Sequence, residues 1–163
     1  MHGRAVGRIM DEFIKLTGIE DLKRRFKEFP HEIATKVLRK GVLAGANVVK
    51  RAAIEKIGSG GEAPQSRSGT LKRAAIVKFI RENSNDTQVE YIVTFRKGKR
   101  QQAKGRDAYY AKWVEFGHRG RGGLLVPPHR FLKPAFDVSY HQALAVELST
   151  MRNELLKIPG FQP

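Results

Sequence analysis

The sequence predicts an α+β fold, with a long N-terminal helical hairpin and a C-terminal helix packed on a small, mainly antiparallel β-sheet. Three observations carry this reading. Residues 31–57 run without proline through Ala, Val, Leu, Lys and Arg, with apolar positions at helical spacing. Residues 71–80 and 88–95 are β-branched and aromatic runs on either side of a turn-forming RENSNDT segment. Residues 144–158 repeat apolar side chains at steps of four and three. At 163 residues the chain, 1–163, is expected to form a single domain around one core.

In chain order, residues 1–8 read as a flexible arm and Phe13 to Leu16 as a weak strand. Thr17 and Glu20 form a capping box that opens a helix with the apolar stripe Ile19, Leu22, Phe26 and Phe29, closed by Pro30. The long helix from about His31 to Ile57 presents Ile33, Val37, Leu38, Val42, Ala46, Val49, Ala53 and Ile57 on one face. Gly41 and Gly45 lower its propensity; either they are simply tolerated or they admit another backbone. Residues 58–69, rich in Gly and Ser, form a flexible connection without phosphate-loop spacing.

The two strand-like runs form an antiparallel hairpin with Val89, Tyr91, Val93 and Phe95 facing the core. Asp107 to Phe116 suits a short helix with Asp107 as N-cap and Gly117 past its end, so that Tyr109, Trp113 and Phe116 share a face. Tyr109, Tyr110 and Trp113 could stack bases between the two basic segments; core packing, at least of Trp113, is preferred. Pro127, Pro128 and Pro134 are read as stiffening the following segment. Leu144, Leu148, Met151, Leu155 and Ile158 mark the last helix, ending near Pro159, with core packing preferred over a partner seam.

Lys and Arg number 31 against 16 Asp and Glu, a formal net charge of +15. Residues 58–137 hold 16 of the basic and 7 of the acidic side chains, and residues 138–163 are balanced. The excess concentrates in two segments read as flexible loops. One spans residues 96–106 and carries Arg96, Lys97, Lys99, Arg100, Lys104 and Arg106; the other spans 118–128 and carries Arg119 and Arg121, with Arg130 just beyond. Its three glycines and two prolines argue against regular structure between His118 and Arg130. A polyanion, either nucleic acid or an acidic protein surface, would offset the self-repulsion of such a chain.

No apolar run reaches the roughly 18 residues of a membrane span, and the N-terminus lacks the apolar stretch of a signal peptide, so a soluble, unprocessed chain without a membrane partner is expected. The absence of cysteine removes disulfides, thiolate zinc sites and cysteine nucleophiles. The five histidines have no tight metal spacing; Glu115 and His118 form only an isolated E-x-x-H across a glycine. No nucleophile elbow, nuclease metal pattern or base-reading motif is present. The expectation is therefore no catalytic residue, metal or cofactor, and no enzyme activity.

The motif order adds a resemblance. Ala63-Pro64 and Ser68-Gly69-Thr70-Leu71, then residues 110–117 (YAKWVEFG), then residues 128–137 (PHRFLKPAFD), make the chain similar over about Leu16 to Leu156 to the tail-completion (neck, or head–tail joining) proteins of long-tailed bacteriophages. Ser68 and His118 stand where that family usually carries threonine. The resemblance implies a structural virion protein of the neck, assembled in the bacterial host cytoplasm as a homo-oligomeric ring, a hexamer, around the DNA channel. Its implied neighbours are the capsid connector and the tail terminator or tail tube proteins, with double-stranded DNA in the channel. The motif and subunit-contact residues are then Trp113, Glu115, Phe116, Gly117, Arg130, Phe131, Pro134 and Phe136. Core packing and subunit contact are both open for Phe131 and Phe136. The charged loop residues would face the DNA lumen or an acidic neighbour. The competing expectation is a nucleic-acid-binding protein without sequence preference, acting as a monomer or dimer.

Overall fold

The computed structural model describes residues 31–57, 69–85 and 88–159. The arm at 1–8, the strand at 13–16, the capped helix at 17–29 and the connection at 58–68 lie outside the described residues. Helix α1 (His31–Lys56) is followed by α2 (Thr70–Ala74), β1 (Ala75–Ile80), β2 (Glu90–Phe95), α3 (Lys99–Gln102), α4 (Ala111–Phe116), β3 (His118–Arg119), β4 (Leu125–Val126) and α5 (Leu132–Leu155). Among the described residues the architecture is α+β, with two long helices and two small antiparallel hairpins.

Helices α1 and α5 run antiparallel and in close contact. Val37 near the start of α1 packs with Met151 and Leu155 near the end of α5, and Ile33, Leu38, Val42 and Ile158 close around them. The glycines make this approach possible. A Cβ on Gly41 would overlap Met151 Cγ and lie 3.2 Å from the Glu147 carbonyl oxygen; one on Gly45 would lie 3.1 Å from the Ala143 carbonyl oxygen. Both glycines therefore face backbone on α5, one helical turn apart in an antiparallel register, which settles the choice the sequence left open.

The hairpin β1–β2 pairs Ala75 with Phe95, Val77 with Val93 and Phe79 with Tyr91. This places Tyr91, Val93 and Phe95 on one face, as their alternation requires. Phe79 and Tyr91 rings lie 5.3 Å apart, and the Arg39 guanidinium of α1 lies 4.9 Å above Phe79. The expected strand from Leu71 begins instead at Ala75. Leu71 and Ala74 are both buried, and residues three apart share a side of a helical turn but fall on opposite faces of a strand.

A second cluster joins Ile57, Leu71, Ala74, Ala108, Ala111 and Phe131, with Phe95 meeting Phe131 edge to face at 5.5 Å. The C-terminal helix is longer than its apolar stripe suggests, starting at Leu132 with Pro134 inside its first turn. The 118–128 segment is also more regular than its glycines and prolines imply. His118 and Arg119 pair with Val126 and Leu125, because Gly122 and Gly123, both at φ 80°, supply the turn and the prolines fall beyond β4.

At the far end, Glu154 accepts hydrogen bonds from Lys157 and Lys40, which hold its carboxyl pKa down to about 2. A depressed carboxylate contributes stability above its unfolded value and loses it as pH falls through the folded one. The melting temperature of Glu154→Gln is therefore expected to lie below wild type at neutral pH, with the gap closing between about pH 5 and pH 2 in thermal melts.

Candidate functional site

The Y-A-K-W-V-E-F-G and P-H-R-F-L-K-P-A-F stretches form one physical unit, and Glu115 is its centre. Helix α4 turns Ala111 and Glu115 inward together, four residues apart, and Glu115 is only 3% exposed. One oxygen, Oε2, accepts the Phe131 N–H at 2.8 Å and the Leu132 N–H at 2.9 Å; Oε1 accepts the Lys133 N–H at 3.1 Å.

These are the otherwise unpaired donors at the start of α5. A helix leaves its first four N–H groups without internal partners. With Phe131 as N-cap, the fourth belongs to Pro134, which has no N–H, and the first internal bond runs from Ala135 N–H to the Phe131 carbonyl. The terminus is fully satisfied by one remote carboxylate, whose charge also opposes the helix dipole. The His129 N–H donates to the Val114 carbonyl at 2.8 Å, adding a second tie between α4 and the returning chain.

Gly117 makes the reversal possible. Its φ of 72° and ψ of 171° suit glycine almost alone, and a Cβ there would lie 2.7 Å from the Val126 carbonyl oxygen and 3.0 Å from Pro128 N. Gly117→Ala is expected to cost about 2–3 kcal/mol in denaturant unfolding, from strain and backbone overlap together.

Trp113 is not a core residue. It is 47% exposed, because the inward side of α4 is taken by Ala111 and Glu115 and a residue two positions past Ala111 points the other way. Tyr109, Trp113 and Phe116 do share a face, but it is the outer one; Tyr109 meets Trp113 edge to face at 5.6 Å, and the His118 ring lies 5.6 Å from Trp113. Asp107 does not cap α4, whose N-cap is Tyr110; its carboxylate accepts the Gly98 N–H at 2.9 Å instead. The motif phenylalanines divide, Phe131 buried in the second cluster and Phe136 half exposed on α5.

The basic segment 96–106 is a closed loop. Ala108 N–H donates to the Arg96 carbonyl, the Asp107–Gly98 bond ties the neck, α3 forms the apex, and Arg73 Nη2 donates to the Gly105 carbonyl at 3.3 Å. Lys97, Lys99, Arg100, Lys104 and Arg106 are exposed, as are Arg119 and Arg121 on the second hairpin and Arg130 beyond it; Arg96 is partly covered. The structure thus gathers Glu115, Gly117, Phe131 and Pro134 into one latch, and leaves the cations on solvent-facing loops.

The latch is what sequence reasoning missed. Glu115 was notable there only as a motif residue and as half of an E-x-x-H pair. Its carboxylate is engaged by three backbone amides, and among the described residues no group of three or more His, Cys, Asp or Glu is placed to hold a metal ion. The available signal was a helix opening on Arg-Phe-Leu-Lys-Pro, with no Ser, Thr, Asp or Asn to cap it. None of the described helices is long and apolar enough to cross a membrane.

A family model for the bacteriophage HK97-gp10 tail component matches residues 20–117, well over half of the chain and including all of α4 and Gly117. No curated protein and no solved structure gives a significant match.

Proposed function

The chain belongs to the HK97-gp10-like family of bacteriophage tail components, and from that premise we propose that it is a structural virion protein forming a ring at the neck. The ring joins the capsid connector to the tail terminator or tail tube and leaves a channel for DNA. The observation that carries this reading is the apolar surface on ordered elements. Tyr109, Trp113, Phe116, Leu124, Leu125, Phe136 and Tyr140 are all exposed on a chain otherwise rich in charge. Such surface on a small protein marks contact with other proteins. No residue is assigned a catalytic role.

A ring closes through head-to-tail contacts between two different surfaces. The exposed cations at 97–106, Arg119 and Arg121 then line the lumen or meet an acidic neighbour. Contact with DNA would be weak, independent of sequence and sensitive to salt, because DNA must slide through during ejection.

The charge of +15 also favours a second reading, a monomeric or dimeric nucleic-acid-binding protein. Sedimentation velocity of the full chain combined with a salt titration of DNA binding separates the two. The ring reading expects a discrete oligomer, a hexamer, with DNA affinity weaker than micromolar at physiological salt. A monomer or dimer binding duplex DNA at about micromolar affinity or tighter would overturn it.

A further inference from the structure

Two features outside the Glu115 latch are complementary. The first is the β3–β4 tip. Leu124 and Leu125 are 74% and 78% exposed, the most exposed large apolar side chains among the described residues. They are not on a loose strand: the Gly120 N–H donates to the Leu124 carbonyl at 2.7 Å, and β3 pairs with β4 in register. Nothing lies within 4 Å of a Cβ built on Gly122 or Gly123, so the tip projects into open space, with Arg119 and Arg121 exposed beside the leucines.

The second is an open groove of about 380 Å³ between α1, β2 and α5, lined by Val42, Ala46, Val49, Tyr91, Phe136 and Tyr140 among others. Its lining is almost wholly apolar, with one carboxylate, Glu147. Glu147 has no cation beside it among the described residues, and burial pushes its carboxyl pKa up. A group that fills this groove brings apolar side chains to its floor, and a cation beside them would offset the cost of desolvating the Glu147 carboxylate.

We propose that the β3–β4 tip of one copy of this chain inserts into the α1–α5 groove of the next, Leu125 entering the apolar floor, Leu124 on the opposite face of the extended segment packing against the groove rim, and Arg121 pairing with Glu147. This rests on the ring reading and names the two surfaces of its repeating contact. The projecting and receiving patches are different, as head-to-tail closure requires. The tip carries both features on one projecting element, since Leu124 and Leu125 stand beside exposed Arg119 and Arg121 and nothing lies near Gly122 or Gly123.

The chain contains no cysteine, so introduced thiols are unique. Full-length Leu125→Cys and Ala46→Cys are mixed and oxidised, and products are identified by mass. The expected result is a disulfide-linked pair containing one of each variant, absent from either alone. In parallel, Glu147→Arg should weaken self-association at least tenfold in sedimentation, and adding Arg121→Glu to the same chain should restore it. An oligomer of wild-type strength in which the two introduced thiols never link would overturn this contact while leaving the ring reading standing. A link confined within single chains of the Leu125→Cys, Ala46→Cys double variant would overturn it too. So would an efficient intrachain link between Leu22→Cys and Ala46→Cys, which would give the groove to the chain's own N-terminal segment. A chain monomeric at every concentration would remove the ring reading and this contact together.

Discussion

Glu115→Ala is expected to destabilise the subunit by about 3–5 kcal/mol, lowering the melting temperature by roughly 6–20 °C. The substitution leaves the N–H groups of Phe131, Leu132 and Lys133 without their acceptor, the first of them on a residue 1% exposed. Each buried donor left unpaired costs about 1–3 kcal/mol, and bonds to an ionised acceptor are the stronger kind. Relaxation that admits water to Lys133, which is exposed, keeps the total below a simple sum. Glu115→Gln should fall between. Its single carbonyl oxygen can still accept from two amides, but it loses the third bond and the negative charge at the start of α5. Hydrogen exchange provides the specific readout: amides 131–133 should lose protection in Glu115→Ala before the middle of α5 does. Uniform loss along α5 would show that the carboxylate is not the local latch.

Gly41→Leu is expected to have an effect of similar size, about 3 kcal/mol or more, and to broaden the unfolding transition. Its first side-chain carbon already overlaps Met151 and approaches the Glu147 backbone, so the remaining carbons can be accommodated only if α1 and α5 separate. Separation would expose the cluster of Val37, Met151 and Leu155. Gly41→Ala should cost less, because about 1 kcal/mol of helix propensity gained by replacing glycine offsets part of the overlap. Ala145→Leu, on an exposed position of α5, is the control and should change stability by less than about 0.5 kcal/mol. A Gly41→Leu protein as stable as wild type would mean that the two helices do not pack through this register.

The parts of the fold that the sequence disclosed are those written in periodicity. The stripe on residues 31–57 and the alternation from Tyr91 to Phe95 each report one inward face; Val37, Ala53 and Ile57 are buried on the first, while Val42, Ala46, Val49, Tyr91 and Val93 are only partly covered where they line the groove. The parts it concealed depend on a partner distant in the chain. Leu71 and Ala74 fit a strand or a turn of helix equally well until the second cluster forms around them. Trp113 is a large apolar side chain that composition assigns to a core, but on a six-residue helix the inward positions belong to Ala111 and Glu115. The start of α5 is invisible in the sequence because its cap comes from sixteen residues earlier. Of the residues singled out for function, Glu115, Gly117, Phe131 and Pro134 serve the latch. Trp113, Phe116, Phe136 and the loop cations remain on the surface, where a neighbour can reach them.

The central claim, that this chain is a ring at the neck, is tested most directly by a reconstruction of the assembled virion at a resolution that distinguishes helices. The expected result is a closed ring of copies between the capsid connector and the tail tube, with α1 and α5 recognisable as an antiparallel pair in each copy and the basic loops at the lumen or at an acidic neighbour. A neck accounted for entirely by other proteins, with this chain elsewhere in the particle or missing from it, would contradict the claim.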